Sequence, residues 1–323
     1  MVETPPIQIV TLTINPAVDV STSVRKMLPF TKMRCAEAQR DPGGGGINVA
    51  RVLKRLGTEA TAIYPAGGAT GQTLAALVER EAVRSIVIPT SNDTREDITI
   101  FDETTREQFR LVFPGASLSE FEWQQCLDAV SRISPQTAFV IASGSLPAGV
   151  PADFYGRVAR ASTGAAKVIV DTSGVSLKAA LDVGVYLIKP NLREFQELAG
   201  ISAADEPSLV EAGRRLFDHY RIEIIALSMA AGGALLMTRD LALRANGLAI
   251  APVSVSGAGD SFLGAMVSSL ANGEPLDTAL RYGVAGGSAA LLSPGTGLCL
   301  GEDVHRLASS VNVTAIPRYQ SRQ

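Results

Sequence analysis

Six short, largely β-branched runs recur along the chain with helical patterns between them: Ile7 to Ile14, Thr61 to Tyr64, Ala138 to Ile141, Lys167 to Val170, Val185 to Ile188 and Glu223 to Leu227. Strands of this kind, each followed by enough chain for a crossover helix, predict a mostly parallel sheet covered by helices on both faces. The best-marked helix is Gly46 to Leu56, where Val49, Val52, Leu53 and Leu56 share one side. Two stretches break the rhythm, at about 18–40 and 97–113, and both are polar and alternating. The second reads as a hairpin, with strands at Ile98 to Phe101 and Gln108 to Phe113 and a turn at Thr104 and Thr105. Extra strands inserted between βα units form a lid over the strand ends, where open α/β sheets bind ligands. The expected architecture is therefore α/β, a three-layer α/β/α sandwich with a small β-sheet lid. Proline and glycine fall in loops rather than in a linker, so residues 1–323 are expected to form one domain.

Composition removes several function classes. A formal net charge of -3 with no dense Lys/Arg run leaves no electrostatic footprint for nucleic acid or an anionic membrane. Three scattered cysteines, Cys35, Cys126 and Cys299, suggest neither a disulfide framework nor a CxxC metal site, and fit a reducing compartment. With only His219 and His305 available, a His-based triad or an HExxH zinc site is nearly excluded. The longest charge-free apolar run, Ile224 to Met237, is too short to span a bilayer, and Met1 to Pro6 lacks the basic start of a signal peptide. A cytoplasmic enzyme of small-molecule chemistry is the expectation.

Four groups of residues could carry that chemistry. Gly43-Gly44-Gly45-Gly46 feeds directly into the first helix, and glycines there let backbone approach an oxygen-rich ligand at a helix N-terminus. No Gly-Lys dipeptide occurs, so this is not a P-loop. Gly257-Ala258-Gly259-Asp260 opens a second helix; three successive amides at a positive helix end make an anion hole, and the adjacent carboxylate can accept a hydroxyl proton. An ordinary helix cap reads the same way from spacing alone. Lys189-Pro190-Asn191-Leu192-Arg193-Glu194 follows a strand, and Asn191 and Glu194, three apart, are either a capping pair or hard oxygen ligands for Mg²⁺. Asp19 and Ser143-Gly144-Ser145 follow strands and suit a polyol, while Lys32, Arg34 and Arg95, in or beside the inserted segments, suit a phosphate.

Taken together, these motifs resemble the PfkB family of ribokinase-like carbohydrate kinases, from Val10 to about Leu300. Thr11 to Asp19, Gly43 to Ala50, Pro65 to Gly71, Ser143 to Gly149, Lys189 to Glu194 and Gly257 to Asp260 carry the likeness. The four glycines before Ile47-Asn48 and the Lys32-Met33-Arg34-Cys35 segment are most similar to the minor-isozyme branch of 6-phosphofructokinases within the family. The resemblance implies that Asp260 is the proton acceptor and that Gly257, Ala258 and Gly259 form the anion hole. It implies that Asp19, Gly44, Asn48 and Ser145 hold sugar hydroxyls, and that Arg34 and Arg95, helped by Lys32, hold the sugar's phosphate. Lys189, Asn191, Ser228 to Gly233 and Ser288 match positions that contact ATP, and Glu194 matches the residue that organises Mg²⁺. A K⁺ site near Ser254, Ser256, Ala290, Ser293 and Gly295, and a homodimer paired through the lid, are also implied.

The chain departs from the family pattern at Ser228-Met229-Ala230-Ala231-Gly232-Gly233-Ala234, where alanine replaces a usual glycine at 230. If that loop needs positive φ there, alanine resists it. Ser254-Val255 replaces the usual Asp-Thr or Ser-Thr before the Gly257-Ala258-Gly259 motif, and Pro147-Ala148 replaces a Pro-Pro turn. The expected activity is a glycolytic one, transfer of the γ-phosphoryl group of ATP to fructose 6-phosphate. Fructose 1-phosphate and tagatose 6-phosphate remain as alternative acceptors. A non-catalytic sugar-phosphate sensor is the alternative of another class, and an intact Asp260 motif stands against it.

Overall fold

The computed structural model describes residues 8–133, 136–162 and 166–317; Ile7, the start of the first predicted strand, lies outside them. After β1 (Gln8–Leu12) the chain leaves the main sheet for β2 (Ala17–Val24) and β3 (Gln39–Gly43), then returns through α1 (Gly45–Arg55), β4 (Ala60–Ala66), α2 (Gly68–Arg80) and β5 (Arg84–Pro89). A second excursion, β6 (Arg95–Asp102) and β7 (Gln108–Leu111), precedes α3 (Glu120–Ser131), β8 (Thr137–Ser143), α4 (Phe154–Ala161) and β9 (Lys167–Asp171). The alternation continues with α5 (Gly174–Val183), β10 (Val185–Ile188), α6 (Leu192–Ala199), α7 (Glu206–His219) and β11 (Ile222–Ser228). Antiparallel β12 (Ala234–Met237) and β13 (Ala242–Ala245) follow, then α8 (Ala258–Ala271), α9 (Leu276–Ala290), α10 (Gly301–Ala308) and β14 (Val313–Ala315).

Among the described residues the main sheet runs β14-β13-β12-β11-β10-β9-β8-β1-β4-β5. Its strands are parallel from β5 through β11 and antiparallel beyond. Side chains of each central strand alternate between two cores. Phe139 and Ile141 of β8 join the core under α1, α8 and α9, while Val140 joins the other, under α3 and α4. Burial on both faces explains why these strands read as unbroken apolar runs, and the three layers follow. β5 escapes the sequence pattern because it is an exposed edge, with only Ile88 of its six residues buried. The apolar run from Ile224 to Met237 proves to be two antiparallel strands joined by a single 3-10 turn at Ala230–Gly232. No helix among the described residues is long and apolar enough to cross a membrane.

The two inserted stretches meet as one four-stranded sheet, β3-β2-β6-β7, in which β2 is parallel to β6. The predicted turn is held by Asp102, whose Oδ1 accepts the amides of Thr104 and Thr105, both at 2.9 Å. Register places Asp41, Asp19 and Asp97 side by side on neighbouring strands, and all three are buried. This small sheet projects beside the C-terminal ends of β1, β8 and β9, where the helix starts of α1 and α8 also converge.

Candidate active site

Helix α8 begins at Gly257, whose φ of 75° is left-handed and comfortable only for glycine. No side chain caps this end, so the first-turn amides of Ala258 and Gly259 have no partner within the helix and could meet an anion. Asp260 lies in the same first turn, half-buried. Its Oδ2 accepts a 2.8 Å hydrogen bond from Asn48 Nδ2 of α1. Burial pushes the Asp260 carboxyl up to about 6, Asp171 and Asp19 push the same way, and the Asn48 amide and Lys189 oppose them. A carboxylate poised there is mostly ionised at neutral pH yet basic enough to take a proton.

Gly45 is glycine for another reason. A Cβ at that position would stand 2.1 Å from Ser143 Oγ and 3.4 Å from Asp260 Oδ1, so the backbone of the glycine run is what lets the three groups meet. Lys189, buried at the end of β10, pairs with Asp171 at 3.3 Å. Burial works against its charge, but Asp171, Asp260 and Glu194 hold its pKa above the ordinary lysine value. A Cβ on Gly259 would lie 3.3 Å from Lys189 Nζ, which places the ammonium beside the anion-hole amides.

One cleft of about 390 Å³ joins these groups to the small sheet; Asp260, Gly257, Asn48, Gly44, Asp19, Ser145, Arg95 and Glu194 all line it. Ser145 Oγ accepts from Asn15 Nδ2 at 3.1 Å. Burial raises Asp19 to about 6, against the pull of the Arg110 guanidinium and with the push of Asp97. Arg95 donates to the carbonyls of Phe113 at 2.9 Å and Asn15 at 3.2 Å and pairs with Asp97 at 3.4 Å, yet its buried Nε has no partner. A phosphate beside Arg95 and Arg110 would meet unspent guanidinium donors.

At the other end, Asn191 bridges to Ser228 between the tips of β10 and β11, and Ser228 N donates to the Pro190 carbonyl at 3.0 Å. Asn191 and Glu194 form a complete capping box: Asn191 Oδ1 accepts from Glu194 N at 3.0 Å, and Glu194 Oε2 accepts from Asn191 N at 2.9 Å. The capping reading is thus met; Glu194 also lines the cleft, and its Oε1 makes no hydrogen bond among the described residues. One free carboxylate oxygen fits Mg²⁺, which takes most of its ligands from water and substrate phosphates. Ala230 carries φ 48°, so the loop does demand the left-handed backbone at the position where alanine has replaced glycine. Ser288 is half-buried on α9, one residue beyond Gly287, which approaches the Ala258 carbonyl.

The segments proposed for K⁺ are brought together: Ser254 Oγ donates to the Gly295 carbonyl at 2.8 Å, Val253 N to the Leu291 carbonyl at 2.7 Å, and Ser256 N to Ser254 Oγ at 3.2 Å. The Ala290 carbonyl already accepts from Ser293 N at 3.2 Å. Carbonyls retain a second lone pair for a cation.

A sequence model of the pfkB family carbohydrate kinases matches residues 10–303. The chain belongs to the pfkB family of carbohydrate kinases. As a member, it is a phosphotransferase that acts on a sugar hydroxyl. It is 44% identical over 303 residues to the ATP-dependent 6-phosphofructokinase isozyme 2 of Mycobacterium tuberculosis, covering 93% of this chain and 88% of that one. It is 37% identical to the enzyme of the same name from Escherichia coli, covering 93% and 98%. Relatives named 1-phosphofructokinase are more distant, at 30% for that of Borreliella burgdorferi over 95% and 99% of the chains. The crystal structure of phosphofructokinase-2 from Escherichia coli in complex with fructose 6-phosphate superposes with a TM-score of 0.88 at 35% identity, covering 94% and 99%. That enzyme has also been solved with potassium and as a tetrameric inhibited form. The fold is thus the ribokinase-like one expected.

Within this pfkB kinase, two predicted phosphate ligands are not in the cleft. Lys32 and Arg34 are exposed on the loop between β2 and β3 and do not line it. The cleft's second guanidinium is instead Arg110 of β7, and its acidic wall includes Asp171 of β9 and Asp97 of β6. Sequence reasoning missed all three. Asp171 ends a predicted strand directly before the cleft, a position that could have marked it; Arg110 and Asp97 carry no such local signal.

Proposed function

We propose that this chain is an ATP-dependent 6-phosphofructokinase, which transfers the γ-phosphoryl group of ATP to the C1 hydroxyl of fructose 6-phosphate. The observation that carries the reading is Asp260, which stands between uncapped helix amides on one side and a polyol-sized cleft ending in two arginines on the other. Asp19, Asn48, Gly44 and Ser145 hold the sugar hydroxyls, while Arg95 and Arg110 take its 6-phosphate. Asp260 accepts the C1 proton as the oxygen attacks, and the amides of Gly257, Ala258 and Gly259 with Lys189 face the charge that gathers on the transferring group. Lys189, Asn191, Ser228, Gly233 and Ser288 border the ATP side. Bound Mg²⁺ neutralises phosphate charge, and Glu194 would hold it; the Ser254–Ser256 and Ala290–Gly295 segments would hold K⁺.

The small sheet acts as the lid of a single kinase unit, and two lids pair in a homodimer. Supporting this, the β2–β3 loop exposes Phe30 completely and Leu28 in part, and β7 and its continuation expose Phe109, Leu111 and Phe113 in part. Lys32 and Arg34, remote from their own cleft, could serve the sugar's phosphate only from a second subunit's lid. A cytoplasmic location accords with three unpaired cysteines. The deciding experiment is an ADP-release assay with fructose 6-phosphate, fructose 1-phosphate, tagatose 6-phosphate and free fructose. Fructose 6-phosphate should give the highest kcat/KM; preference for another acceptor rejects the assignment.

A further inference from the structure

Arg51 is the largest fully buried side chain of the described residues, with no exposed side-chain surface. One of its terminal nitrogens, Nη1, donates to three acceptors from different parts of the chain: the Pro42 carbonyl of β3 at 3.0 Å, Asn48 Oδ1 at 3.1 Å and the Thr296 carbonyl at 3.3 Å. The other, Nη2, pairs with Glu81, the residue that ends α2, at 2.7 Å, and stands 3.8 Å from Asp41. Burying a guanidinium is costly, and an apolar residue would pack there at less expense.

The Asn48 amide explains the charge. An arginine can only donate, so the Asn48 atom that faces it must be the oxygen. The –NH₂ group is then turned the opposite way, onto Asp260 Oδ2 at 2.8 Å. We propose that Arg51 is a positioning residue for phosphoryl transfer, which locks the Asn48 amide so that a donor, never an acceptor, is presented to the Asp260 carboxylate. Through Pro42 and Thr296 the same guanidinium also ties the amide to the strand leading into the glycine run and to the loop that lines the cleft.

Without Arg51 the amide is free to flip, and an oxygen facing the carboxylate favours its protonated form. That form cannot accept the sugar's proton. The other charged groups around Asp260 are Asp171 on β9, Asp19 on β2 and Lys189 after β10; none of them is hydrogen-bonded to Arg51, but the Arg51 charge holds the Asp19 carboxyl down, so its loss raises Asp19 as well. Loss of one charge-assisted hydrogen bond shifts a carboxyl pKa by about one unit or more.

The inference rests on Asp260 being the base, so the test runs Asp260→Asn beside Arg51→Met and Arg51→Lys and records kcat against pH together with KM for both substrates. For Arg51→Met, the acidic limb is expected to move up by about one pH unit, with activity recovering at higher pH and KM for ATP unmoved. Arg51→Lys, whose ammonium can still donate to Asn48 Oδ1, should return the limb toward the wild-type position. If Arg51→Met lowers activity by one factor at every pH, Arg51 is only a structural brace and the inference is overturned. If Asp260→Asn keeps its turnover, the base assignment itself has failed. Should Arg51→Met not fold, Arg51→Met/Glu81→Gln removes both charges of the buried pair and is read the same way.

Discussion

Asn48 and Asp260, 212 residues apart, meet through a single 2.8 Å hydrogen bond from amide to carboxylate. It joins the helix after the glycine run to α8, and both residues line one cleft.

Replacing Asp260 by Asn removes the proton acceptor and leaves the shape of the site. Turnover of fructose 6-phosphate should fall by about 10²- to 10⁴-fold, with dissociation constants for both substrates within a few-fold of wild type. Calorimetric titration and steady-state kinetics check the two halves; a variant that still turns over at the native rate rejects the role.

The Asp260 carboxyl, raised to about 6, fixes both an activity limb and a stability trend. Activity requires the ionised form, so kcat should decline about tenfold per unit as pH falls below about 6. Stability runs the other way. A carboxyl whose folded pKa lies above its unfolded value contributes stability that is full below the unfolded pKa and is lost as pH rises through the folded one. That loss amounts to at most about 3 kcal/mol at neutral pH. Asp260→Asn should therefore be more stable than wild type at pH 7.5, with the gap narrowing toward pH 5 in thermal unfolding of the ligand-free protein.

Arg95 and Arg110 flank the end of the cleft assigned to the sugar's phosphate. Each single alanine variant should raise KM for fructose 6-phosphate by about 10- to 100-fold, as loss of a charge-assisted hydrogen bond demands, and leave KM for ATP nearly unchanged. An equal rise for both substrates would place the arginines elsewhere in the mechanism.

Ala230 holds φ 48° in the turn between β11 and β12, where a Cβ costs about 1 kcal/mol relative to glycine. Ala230→Gly should stabilise the protein by about 0.5–1 kcal/mol, raising Tm by a degree or more. A lowered Tm would mean that the loop relaxes around alanine at no cost.

Phe30 is wholly exposed at the tip of the small sheet with φ 56°. If two lids pair through it, Phe30→Glu should convert a dimer to a monomer in sedimentation velocity and weaken fructose 6-phosphate binding more than ATP binding. A wild-type protein that sediments as a monomer removes the lid pairing.

Much of this enzyme could be read locally. The parallel strands announce themselves because burial on both faces demands unbroken apolar runs, as in Val140, Ile141 and Ala142. Gly257-Ala258-Gly259-Asp260 could be read because an uncapped helix start and a first-turn carboxylate are neighbours in sequence as well as in space. The inserted sheet was legible as two alternating stretches, although β5, an exposed edge, was not.

What depends on a few consecutive residues was therefore legible in the sequence: the layers and the glycine-opened start of α8 with Asp260 in its first turn; at Asn191 and Glu194 and at Ala230 the sequence left open what the fold then decided. Only the tertiary structure decided which distant charges share the cleft. Asp41, Asp19 and Asp97 become neighbours through strand register, Arg110 replaces Arg34 as the cleft's second guanidinium, and Arg51 finds Asn48, Glu81 and Thr296 in the interior. The physical reason is that backbone conformation is governed by local sterics and hydrogen bonding, whereas the pairing of buried charges is governed by desolvation, which acts on whatever the folded chain brings within a few ångströms.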